Sequence, residues 1–550
     1  MIKTIIKEQV SQALKTCGFS AGRDFNVEVP PNTEFGDYST NAAMVLCKEN
    51  KKAPKEMAEA LVKELKKNKY FKKLKIDGPG FINIFLAPSL YQNILWEIHE
   101  KGVDYAQSDY GKGEKVLLEF VSANPTGPLN IVSARAAAFG DTLYRVMKYV
   151  GYNPTREFYV NDAGNQVDIL AESLELRLRE IQGERIGDFP FEAYHGEYVK
   201  HLAQKLNTQE GNRMFMMTEK DRMDHLKEFA LSEILGMQRN SLDKFDVEFE
   251  AWVSEKTLRA EGVVEEVLSY LTEADCTYEK EEAIWFKSEE YGDDKDRVLM
   301  KSDGSITYFV PDLAYHLTKI QRGYTTLIDI FGPDHHGYVP RLRAAFRALG
   351  YDDSMLEIIY LQQVNLYEGG EKVKMSKRAG KIVTMDDLIS EVGKDAARYF
   401  FIARKANAHL NFDLELAKQK DNENPVYYCQ YAHARISSVI KKARKDKMTP
   451  RKYRREHALK LVKPEEHALI GKLAELPELL IQVAEYREPH RLTVWAEETC
   501  ALFHRYYSKH RVVVAKNKDL TRGRLLLLER VRSSLALVFN LIGVSAPDKM

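Results

Sequence analysis

Two lysines bracket a short segment that could neutralise a polyphosphate. The segment KMSKRAG (374–380) follows a strand-like run and the turn EGGE, and a predicted helix follows it. Thr384 can cap that helix, with Asp387 three residues further on. Lysine ammonium groups and the backbone N–H groups of such a loop suit a nucleoside triphosphate. A charged surface turn is the alternative interpretation, because four-residue patterns recur by chance.

Two further sets of polar residues lie at positions that call for an explanation. Glu119 lies near the end of the apolar run KVLLEF (115–120), where a lone carboxylate would be costly to bury. Tyr308 and Asp312 are spaced i and i+4 in YFVPDLAYH. Because of that cost, a purely structural role for Glu119 is hard to accept. Asp312 has an alternative interpretation as an acid at a helix N-terminus, where a negative charge is favourable.

These residues need a sheet that brings strand ends together. Strand KVLLEF is followed by the loop VSANPTGPLN, the small-residue helix ARAAAFGDTLYRVMKYVGY and the strand REFYV, which is the opening of a parallel, Rossmann-like sheet. We expect the sheet to resume with strands at Thr307–Val310, Leu327–Phe331 and Leu356–Leu361. The helix RLRAAFRALGY should lie between the last two strands.

The chain divides into four predicted regions. At roughly 150 residues per domain, its 550 residues are enough for about three or four domains. Residues 1–88 form an α/β domain, with the turn signal DGPG between two strands. The Rossmann-like domain takes 110–170 and 290–405, interrupted by a charged, mostly helical insertion at 171–289. Residues 415–550 are helical throughout.

Composition favours an intracellular globular protein. The chain is 44% hydrophobic and 29% charged, and no apolar run approaches the roughly 20 residues that span a bilayer. The N-terminal residues Ile2, Ile6 and Val10 recur at helical spacing, which predicts a packed amphipathic helix and not a leader. Five widely spaced cysteines without a CxxC pair predict reduced thiols in a cytoplasm, with no disulfide framework and no structural zinc.

The charge is uneven although its net value is zero. Residues 441–460 hold ten Lys/Arg against two acids, with Tyr453 among them. This run favours phosphate contact, and a solvated helix face is the alternative. For the lysine-rich run at 63–76 the solvated face is the preferred interpretation.

Several motifs, taken in order, resemble one enzyme family. KMSKRAG resembles the KMSKS loop of class I aminoacyl-tRNA synthetases. The frame E-F-x-S-x-N-P-T-G-P-L (119–129) is similar to that of arginyl-tRNA synthetases, as are FYVNDAGNQ, the Tyr308/Asp312 pair, FGPDHH and the closing LIGVSAPDKM. EFGDYSTNAA and GPGFINIFL resemble the N-terminal domain with which that family grips the tRNA elbow. The resemblance covers the chain from end to end.

The resemblance implies the ligation of arginine to tRNA(Arg) with ATP, accompanied by Mg²⁺, by a monomer without a membrane anchor. Arginine is a planar cation with five donors, so its pocket needs acceptors in a fixed arrangement. The implied arginine-binding residues are Glu119, Ser122, Asn124, Tyr308, Asp312 and, more weakly, Asp334. The implied ATP-binding residues are Asn130, Ile131, Val132, Ser133, Lys374, Met375, Ser376 and Lys377, of which Lys374, Lys377, Asn130 and Ser133 would act in catalysis. Tyr427, Tyr431 and Arg435 would contact unstacked tRNA bases, although core packing explains each tyrosine equally well.

One tetrad departs from the family pattern. Where HIGH or HVGH should stand, the chain has Asn130-Ile131-Val132-Ser133. Both polar residues can donate hydrogen bonds, but neither carries charge, and losing one charge-assisted donor costs about 1.5–3 kcal/mol. A working variant, with the loss offset by Lys374, Lys377 or Arg135, is the favoured interpretation. A non-catalytic tRNA-binding paralogue is the second, and a small-molecule nucleotidyltransferase is a remote third.

Overall fold

The computed structural model describes residues 1–333, 337–373 and 384–550. Its N-terminal part is a four-stranded antiparallel sheet covered by helices, with strands in the order β1 (Val27–Glu28), β2 (Tyr38–Thr40), β4 (Phe81–Leu86) and β3 (Phe71–Asp77). The apolar stripe of the first helix (Ile2, Ile6, Val10, Leu14) is buried, as its spacing predicts. The elements are α1 (Ile2–Thr16), β1 (Val27–Glu28), β2 (Tyr38–Thr40), α2 (Ala42–Leu46), α3 (Pro54–Leu65), β3 (Phe71–Asp77), β4 (Phe81–Leu86) and α4 (Pro88–Lys101).

The central part is built on a five-stranded, all-parallel sheet with strands in the order β12 (Leu356–Tyr360), β11 (Thr326–Phe331), β5 (Lys115–Glu119), β6 (Asn153–Val160) and β7 (Ala251–Ser254). The first half of the central part contains the opening strand of this sheet, the small-residue helix and the second strand. Three further helices follow, and then the edge strand β7. These elements are β5 (Lys115–Glu119), α5 (Ile131–Tyr149), β6 (Asn153–Val160), α6 (Asn165–Ile181), α7 (Glu197–Glu210), α8 (Glu219–Lys244) and β7 (Ala251–Ser254).

The second half returns to the five-stranded sheet after a small antiparallel sheet with strands in the order β10 (Arg297–Met300), β9 (Ala283–Phe286) and β8 (Thr277–Lys280). A further three-stranded sheet follows the five-stranded sheet along the chain, with strands in the order β14 (Glu371–Lys372), β13 (Val364–Glu368) and β15 (Leu410–Asp413). The elements are α9 (Glu255–Ala260), α10 (Val263–Glu273), β8 (Thr277–Lys280), β9 (Ala283–Phe286), β10 (Arg297–Met300), α11 (Phe309–Gln321), β11 (Thr326–Phe331), α12 (Val339–Ala348), β12 (Leu356–Tyr360), β13 (Val364–Glu368), β14 (Glu371–Lys372), α13 (Met385–Val392), α14 (Lys394–Ile402), β15 (Leu410–Asp413) and α15 (Leu414–Lys418).

The C-terminal part is helical, as predicted. Its helices are α16 (Pro425–Lys445), α17 (Arg455–Ala458), α18 (Pro464–Tyr486), α19 (His490–Lys509) and α20 (Lys518–Ile542). One continuous apolar core joins this bundle to the N-terminal part and to one face of the parallel sheet, whereas α6, α7 and α8 bury a separate core of their own. None of the described helices combines the length and the apolar character that crossing a bilayer requires.

Two predictions about the sheet are wrong. Thr307–Val310 is not a strand, because α11 begins at Phe309. Its aromatic and β-branched residues are typical of strands, but Pro311 fits the first turn of a helix, where a missing N–H costs nothing. The insertion predicted at 171–289 contains β7, which pairs in parallel with β6. This four-residue edge strand is too short to show a clear alternation.

Candidate active site

A cleft of about 550 Å³ opens where the parallel strands β5, β6 and β11 end. Open α/β sheets bind their ligands at this edge. Eight residues predicted to bind substrates line the cleft: Glu119, Ser122, Asn124, Asn130, Val132, Ser133, Tyr308 and Asp312. The fold therefore brings together residues that are distant from one another in the sequence.

A strained turn follows β5. Val121 and Ser122 adopt positive φ angles of 70° and 36°, a region that a β-branched residue rarely enters. The turn directs the Ser122 hydroxyl back to Glu119, and its Oγ donates to Glu119 Oε1 at 2.8 Å. The same Oγ accepts the backbone N–H of Tyr159 at 3.1 Å, so that β6 also holds it in place. Strain of this kind is typical of residues that a site must orient.

Glu119 is buried but not alone, so its burial does not by itself require a ligand, contrary to the expectation from the sequence. Lys319 Nζ donates to Glu119 Oε2 at 2.7 Å and to Asp329 Oδ1 at 2.9 Å, and all three side chains are buried. Burial raises the pKa of Glu119, and the neighbouring Asp329 carboxylate adds to that effect while Lys319 opposes it. The lysine supplies the counter-charge that a ligand was expected to provide.

Asp312 and Tyr308 lie at the first turn of α11. Tyr308 is 72% exposed and borders the cleft. Oδ2 of Asp312 is buried and makes no hydrogen bond of ordinary geometry within the described part of the chain. Asp312 is thus an acid of the first helical turn, and its carboxylate also lines the cleft. Its Oδ2 is available to accept a hydrogen bond from a ligand. A fork of guanidinium donors would satisfy such an oxygen.

The Asn130–Ser133 tetrad forms the beginning of α5. Asn130 caps this helix, since its Oδ1 accepts the N–H groups of Val132 at 2.9 Å and Ser133 at 3.0 Å. The acceptor end of the amide is therefore engaged, and the amide nitrogen is the donor left for a ligand. Ile131 is buried in the core, so its side chain is not part of the cleft wall that was predicted to hold ATP.

Arg135 does not offset the missing histidines by reaching the cleft. Its side chain is fully buried, and its guanidinium donates to the backbone carbonyl oxygens of Gln362, Lys405 and Ala408. Burial lowers the pKa of Arg135 to about 10. This arginine ties α5 to the loops beyond β12 and α14, which is a structural role.

Five of the predicted residues lie outside the described part of the chain: Asp334, Lys374, Met375, Ser376 and Lys377. The chain that follows them is described from Thr384 onward. The predicted cap of α13 is confirmed, because Thr384 and Asp387 form a reciprocal capping box. Thr384 also forms a backbone bridge with Asn130, so the residue that follows the undescribed segment 374–383 adjoins the tetrad.

The predicted tRNA-contacting residues share one face of α16. Tyr431 is 39% exposed and stacks on His504 with ring centroids 6.2 Å apart. The exposed guanidinium of Arg435 lies 5.2 Å from the ring centroid of Tyr507. Tyr427, one turn before Tyr431, is half-buried. Tyr453, in contrast, donates to Glu529 at 2.9 Å and packs inward, so it does not supply the phosphate contact suggested for the basic run.

A second set of site residues was not predicted from the sequence. Tyr159, Asn161, Glu255 and Tyr338 also line the cleft, and Lys319, His316 and Asp329 lie beneath it. One signal was present, because Asp329 interrupts the apolar strand TLIDIF, where an acid needs a buried partner. Lys319 and His316 are harder to detect, since charges at helical spacing are common on solvated faces.

Comparisons with known proteins define the class first. The family model for the class I (R) tRNA synthetase catalytic domain matches residues 95–438. The arginyl tRNA synthetase N-terminal domain matches residues 4–86, and the DALR anticodon binding domain matches residues 429–550. The catalytic part is therefore that of a class I aminoacyl-tRNA synthetase.

Comparison with individual proteins identifies the family within this class. The chain is 45% identical to an arginine–tRNA ligase of Listeria monocytogenes over 526 residues, covering 95% of this chain and 94% of the relative. It is 43% identical to that of Bacillus licheniformis, covering 100% and 99%. Its fold matches the structure of Thermus thermophilus arginyl-tRNA synthetase with a TM-score of 0.76 at 20% identity, over the full length of both chains. The chain belongs to the arginyl-tRNA synthetase family.

Proposed function

We propose that this chain activates arginine with ATP and transfers it to the 3′ end of tRNA(Arg). The observation that carries the proposal is the acidic cleft at the carboxyl edge of the sheet, which is lined by Glu119 and by Asp312, whose buried Oδ2 makes no hydrogen bond of ordinary geometry among the described residues. An elongated substrate with a guanidinium at one end and an ammonium at the other would find an acceptor at each end.

The arginine would lie between the two carboxylates. Glu119, Ser122 and Asn124 would hold its α-amino end, where Asn124 now donates to Gln166 Oε1 at 2.8 Å. Tyr308 and Asp312 would meet the guanidinium, and Asp334 is a further candidate there. Ser122 acts mainly through Glu119, whose carboxylate it orients.

ATP would lie across the beginning of α5. Asn130, Val132 and Ser133 line the cleft there, and a helix N-terminus favours phosphate. Lys374, Met375, Ser376 and Lys377 would complete the ATP site from the segment that rejoins the described chain beside Asn130. Mg²⁺ would enter as part of the ATP complex.

The reaction needs positioning and charge neutralisation more than acid–base catalysis. The arginine carboxylate attacks the α-phosphorus of ATP in line, and pyrophosphate leaves with the electron pair of the broken bond. A terminal hydroxyl of the tRNA then attacks the arginyl carbonyl carbon, and AMP leaves. The enzyme itself forms no covalent intermediate.

The tRNA would bind outside the cleft as well. Residues 1–88 would contact its elbow, and the face of α16 that carries Tyr427, Tyr431 and Arg435 would contact unstacked bases. We propose that the chain works as a monomer in the cytoplasm, where tRNA, ATP and arginine are present together.

The deciding experiment is the charging of total bacterial tRNA with radiolabelled arginine and ATP. We expect ATP-dependent incorporation that Lys377→Ala and Asp312→Ala abolish. Lys200→Ala, which loses only an exposed ion pair with Glu197, is the control and should retain the rate. A folded chain that binds tRNA but charges none of it would refute the proposal.

A non-catalytic tRNA-binding role is the second candidate, favoured by the tetrad without histidine. It predicts tRNA binding with no ATP turnover. The double substitution Asn130→His and Ser133→His separates the two roles: a large gain in charging supports decay of the site, and a loss supports a variant that is adapted to its own tetrad.

A further inference from the structure

A continuous chain of polar contacts runs beneath the cleft from Glu119 to the backbone of Asp312. Lys319 bridges Glu119 and Asp329, and His316 Nε2 contacts Asp329 Oδ2 at 2.8 Å. His316 Nδ1 contacts the backbone carbonyl oxygen of Asp312 at 2.7 Å. Glu119 and Asp312 line the cleft, whereas His316, Lys319 and Asp329 are completely buried below it.

The secondary structure explains why these groups meet. Asp312, His316 and Lys319 occupy positions i, i+4 and i+7 of α11, which lie on one face of a helix. Asp329 and Glu119 are register partners on the adjacent parallel strands β11 and β5. Side chains at paired positions of neighbouring strands lie on the same face of a sheet and close together. Two buried carboxylates this close repel one another, and a cation between them offsets that repulsion.

The ammonium of Lys319 fills that place. Glu119, His316 and Asp329 bring one ligand-type atom each within 4.8 Å of the others, an arrangement that could hold a metal ion. Two of the three groups already bind the same ammonium, which has three donors to distribute. The cluster is therefore a lysine-centred ion network.

We propose that Lys319 is a positioning residue that keeps Glu119 ionised and aimed at the α-ammonium group of arginine. This inference deepens the proposed function and rests on it for the identity of the ligand. Lys319 does not line the cleft, so it acts only through Glu119. The Ser122 hydroxyl fixes the other oxygen of the same carboxylate, and together the two contacts determine its orientation.

The charged and titratable groups around Glu119 set the direction of the effect. Asp329 and His316 approach it from β11 and α11, and Tyr159 and Tyr315 from β6 and α11. Burial raises the pKa of Glu119, and Lys319 is the strongest influence that lowers it. Without the ammonium, the pKa of Glu119 rises further, and the carboxyl group takes up a proton at pH values where the wild-type group is charged. In a variant without Lys319, bound arginine therefore lacks the Glu119 carboxylate as its anionic partner at low pH and regains it at high pH.

The test is the dissociation constant of arginine, measured by titration calorimetry on the full chain between pH 6 and pH 9. For Lys319→Met we expect binding at pH 7 to weaken about tenfold or more, the size of one charge-assisted hydrogen bond. The deficit should shrink as the pH rises, whereas the wild type should show a smaller dependence. Lys227→Met, which removes a lysine paired with Asp168 at 2.6 Å on the outside of the helical region, is the matched control and should bind as the wild type does.

A second variant predicts the opposite direction. Asp329→Asn removes a negative charge that raises the pKa of Glu119, so arginine should bind at pH 6 at least as tightly as to the wild type. A merely structural role for the network would weaken binding in both variants and at every pH. If Lys319→Met does not fold, Asp329→Asn decides alone, and weaker binding by that variant at pH 6 overturns the inference.

The double variant Glu119→Gln, Lys319→Met completes the cycle, because it removes the group that titrates. It should bind weakly without the pH dependence of Lys319→Met, and a persistent dependence would overturn the inference. Wild-type chain that binds arginine but charges no tRNA would refute the proposed function and leave this inference standing. Wild-type chain that binds no arginine would overturn both.

Discussion

Single residues decide what the cleft can bind. Glu119 has its two oxygens occupied by Ser122 and Lys319, whereas Asp312 has a buried Oδ2 without a hydrogen bond of ordinary geometry among the described residues, and its carboxylate interacts with the Tyr338 hydroxyl. The two acids are therefore not equivalent. Asp312 gains most from a ligand, because a buried acceptor that remains unsatisfied costs about 1–3 kcal/mol.

Asp312→Asn should raise the KM for arginine and leave the KM for ATP within about twofold. The amide keeps the shape but loses the charge, and a charge-assisted hydrogen bond is worth about 1.5–3 kcal/mol, or roughly 10- to 150-fold. Steady-state arginylation at varied arginine and ATP measures both constants. Asp303→Asn, an exposed acid on the preceding loop, is the control. Equal increases in both KM values would contradict a specific contact with arginine.

Among the elements, the N-termini of α5 and α11 meet at the cleft. Helix α5 brings its own cap there, because the side chain of Asn130 binds the N–H groups of Val132 and Ser133. Helix α11 brings Asp312 in its first turn and the buried face of His316 and Lys319 behind it. One helix thus faces the nucleotide and the other faces the amino acid in the proposed arrangement.

Asn130→Ala should destabilise the catalytic part by about 1 kcal/mol, the usual cost of a lost N-cap. Asn130→Ser keeps an oxygen that can cap and should recover most of that loss. The urea midpoint of the transition reported by near-ultraviolet circular dichroism measures the effect. If Asn130 also donates to ATP, both variants should charge tRNA more slowly, and a rate restored together with the stability in Asn130→Ser would limit its role to the cap.

Across the whole molecule, one buried acid connects the sheet to the C-terminal bundle. Asp141 on α5 is fully buried and accepts hydrogen bonds from Arg145, Arg156 and Arg398. Arg398 also donates to the backbone carbonyl oxygen of Ile542 at 2.8 Å, at the end of α20. The helix that begins at the cleft is therefore linked to the last helix of the chain.

Asp141→Ala should lower the free energy of unfolding by about 3–5 kcal/mol, because it leaves the fully buried guanidinium of Arg398 without its carboxylate partner. Asp386→Ala, which breaks the exposed pair with Lys244, should cost no more than about 1 kcal/mol. Urea unfolding followed by fluorescence and by circular dichroism compares the two variants. Similar losses for both would show that the buried network contributes no more than a surface pair.

The basic run at 441–460 also acts at the level of the whole molecule. All ten of its Lys and Arg residues are exposed, and within the described part of the chain none is ion-paired to a carboxylate. An uncompensated cationic surface on a protein proposed to bind tRNA would contact the phosphodiester backbone.

The triple variant Lys441→Gln, Lys442→Gln, Lys445→Gln should weaken tRNA binding and reduce its salt dependence. Removing one lysine–phosphate interaction should lower the slope of log K against log salt by about 1. Filter binding of tRNA between low and moderate salt gives the slope. Lys200→Gln, which removes a lysine that is ion-paired, is the control. An unchanged slope in the triple variant would show that the run at 441–460 is only a solvated helix face.

Local sequence was sufficient to predict most elements and the order of the motifs. Periodicity and turn chemistry predicted β5, β11 and β12, the amphipathic α1, the capping box of α13 and the helical C-terminal part, because these depend on neighbours a few residues away. Where local preference and tertiary context disagreed, the prediction failed. The run at Thr307–Val310 has the composition of a strand but begins a helix, and the short edge strand β7 was absorbed into the insertion.

The pairing of the site residues, in contrast, depends on the tertiary structure alone. Lys319 lies 200 positions from Glu119, and nothing in the local pattern of α11 distinguishes a lysine that faces a buried carboxylate from one that faces water. The register between β5 and β11 places Asp329 beside Glu119, and the packing of α11 over that pair buries the ammonium between them. Burial and partner choice arise from packing between distant segments, and a one-dimensional pattern does not encode them.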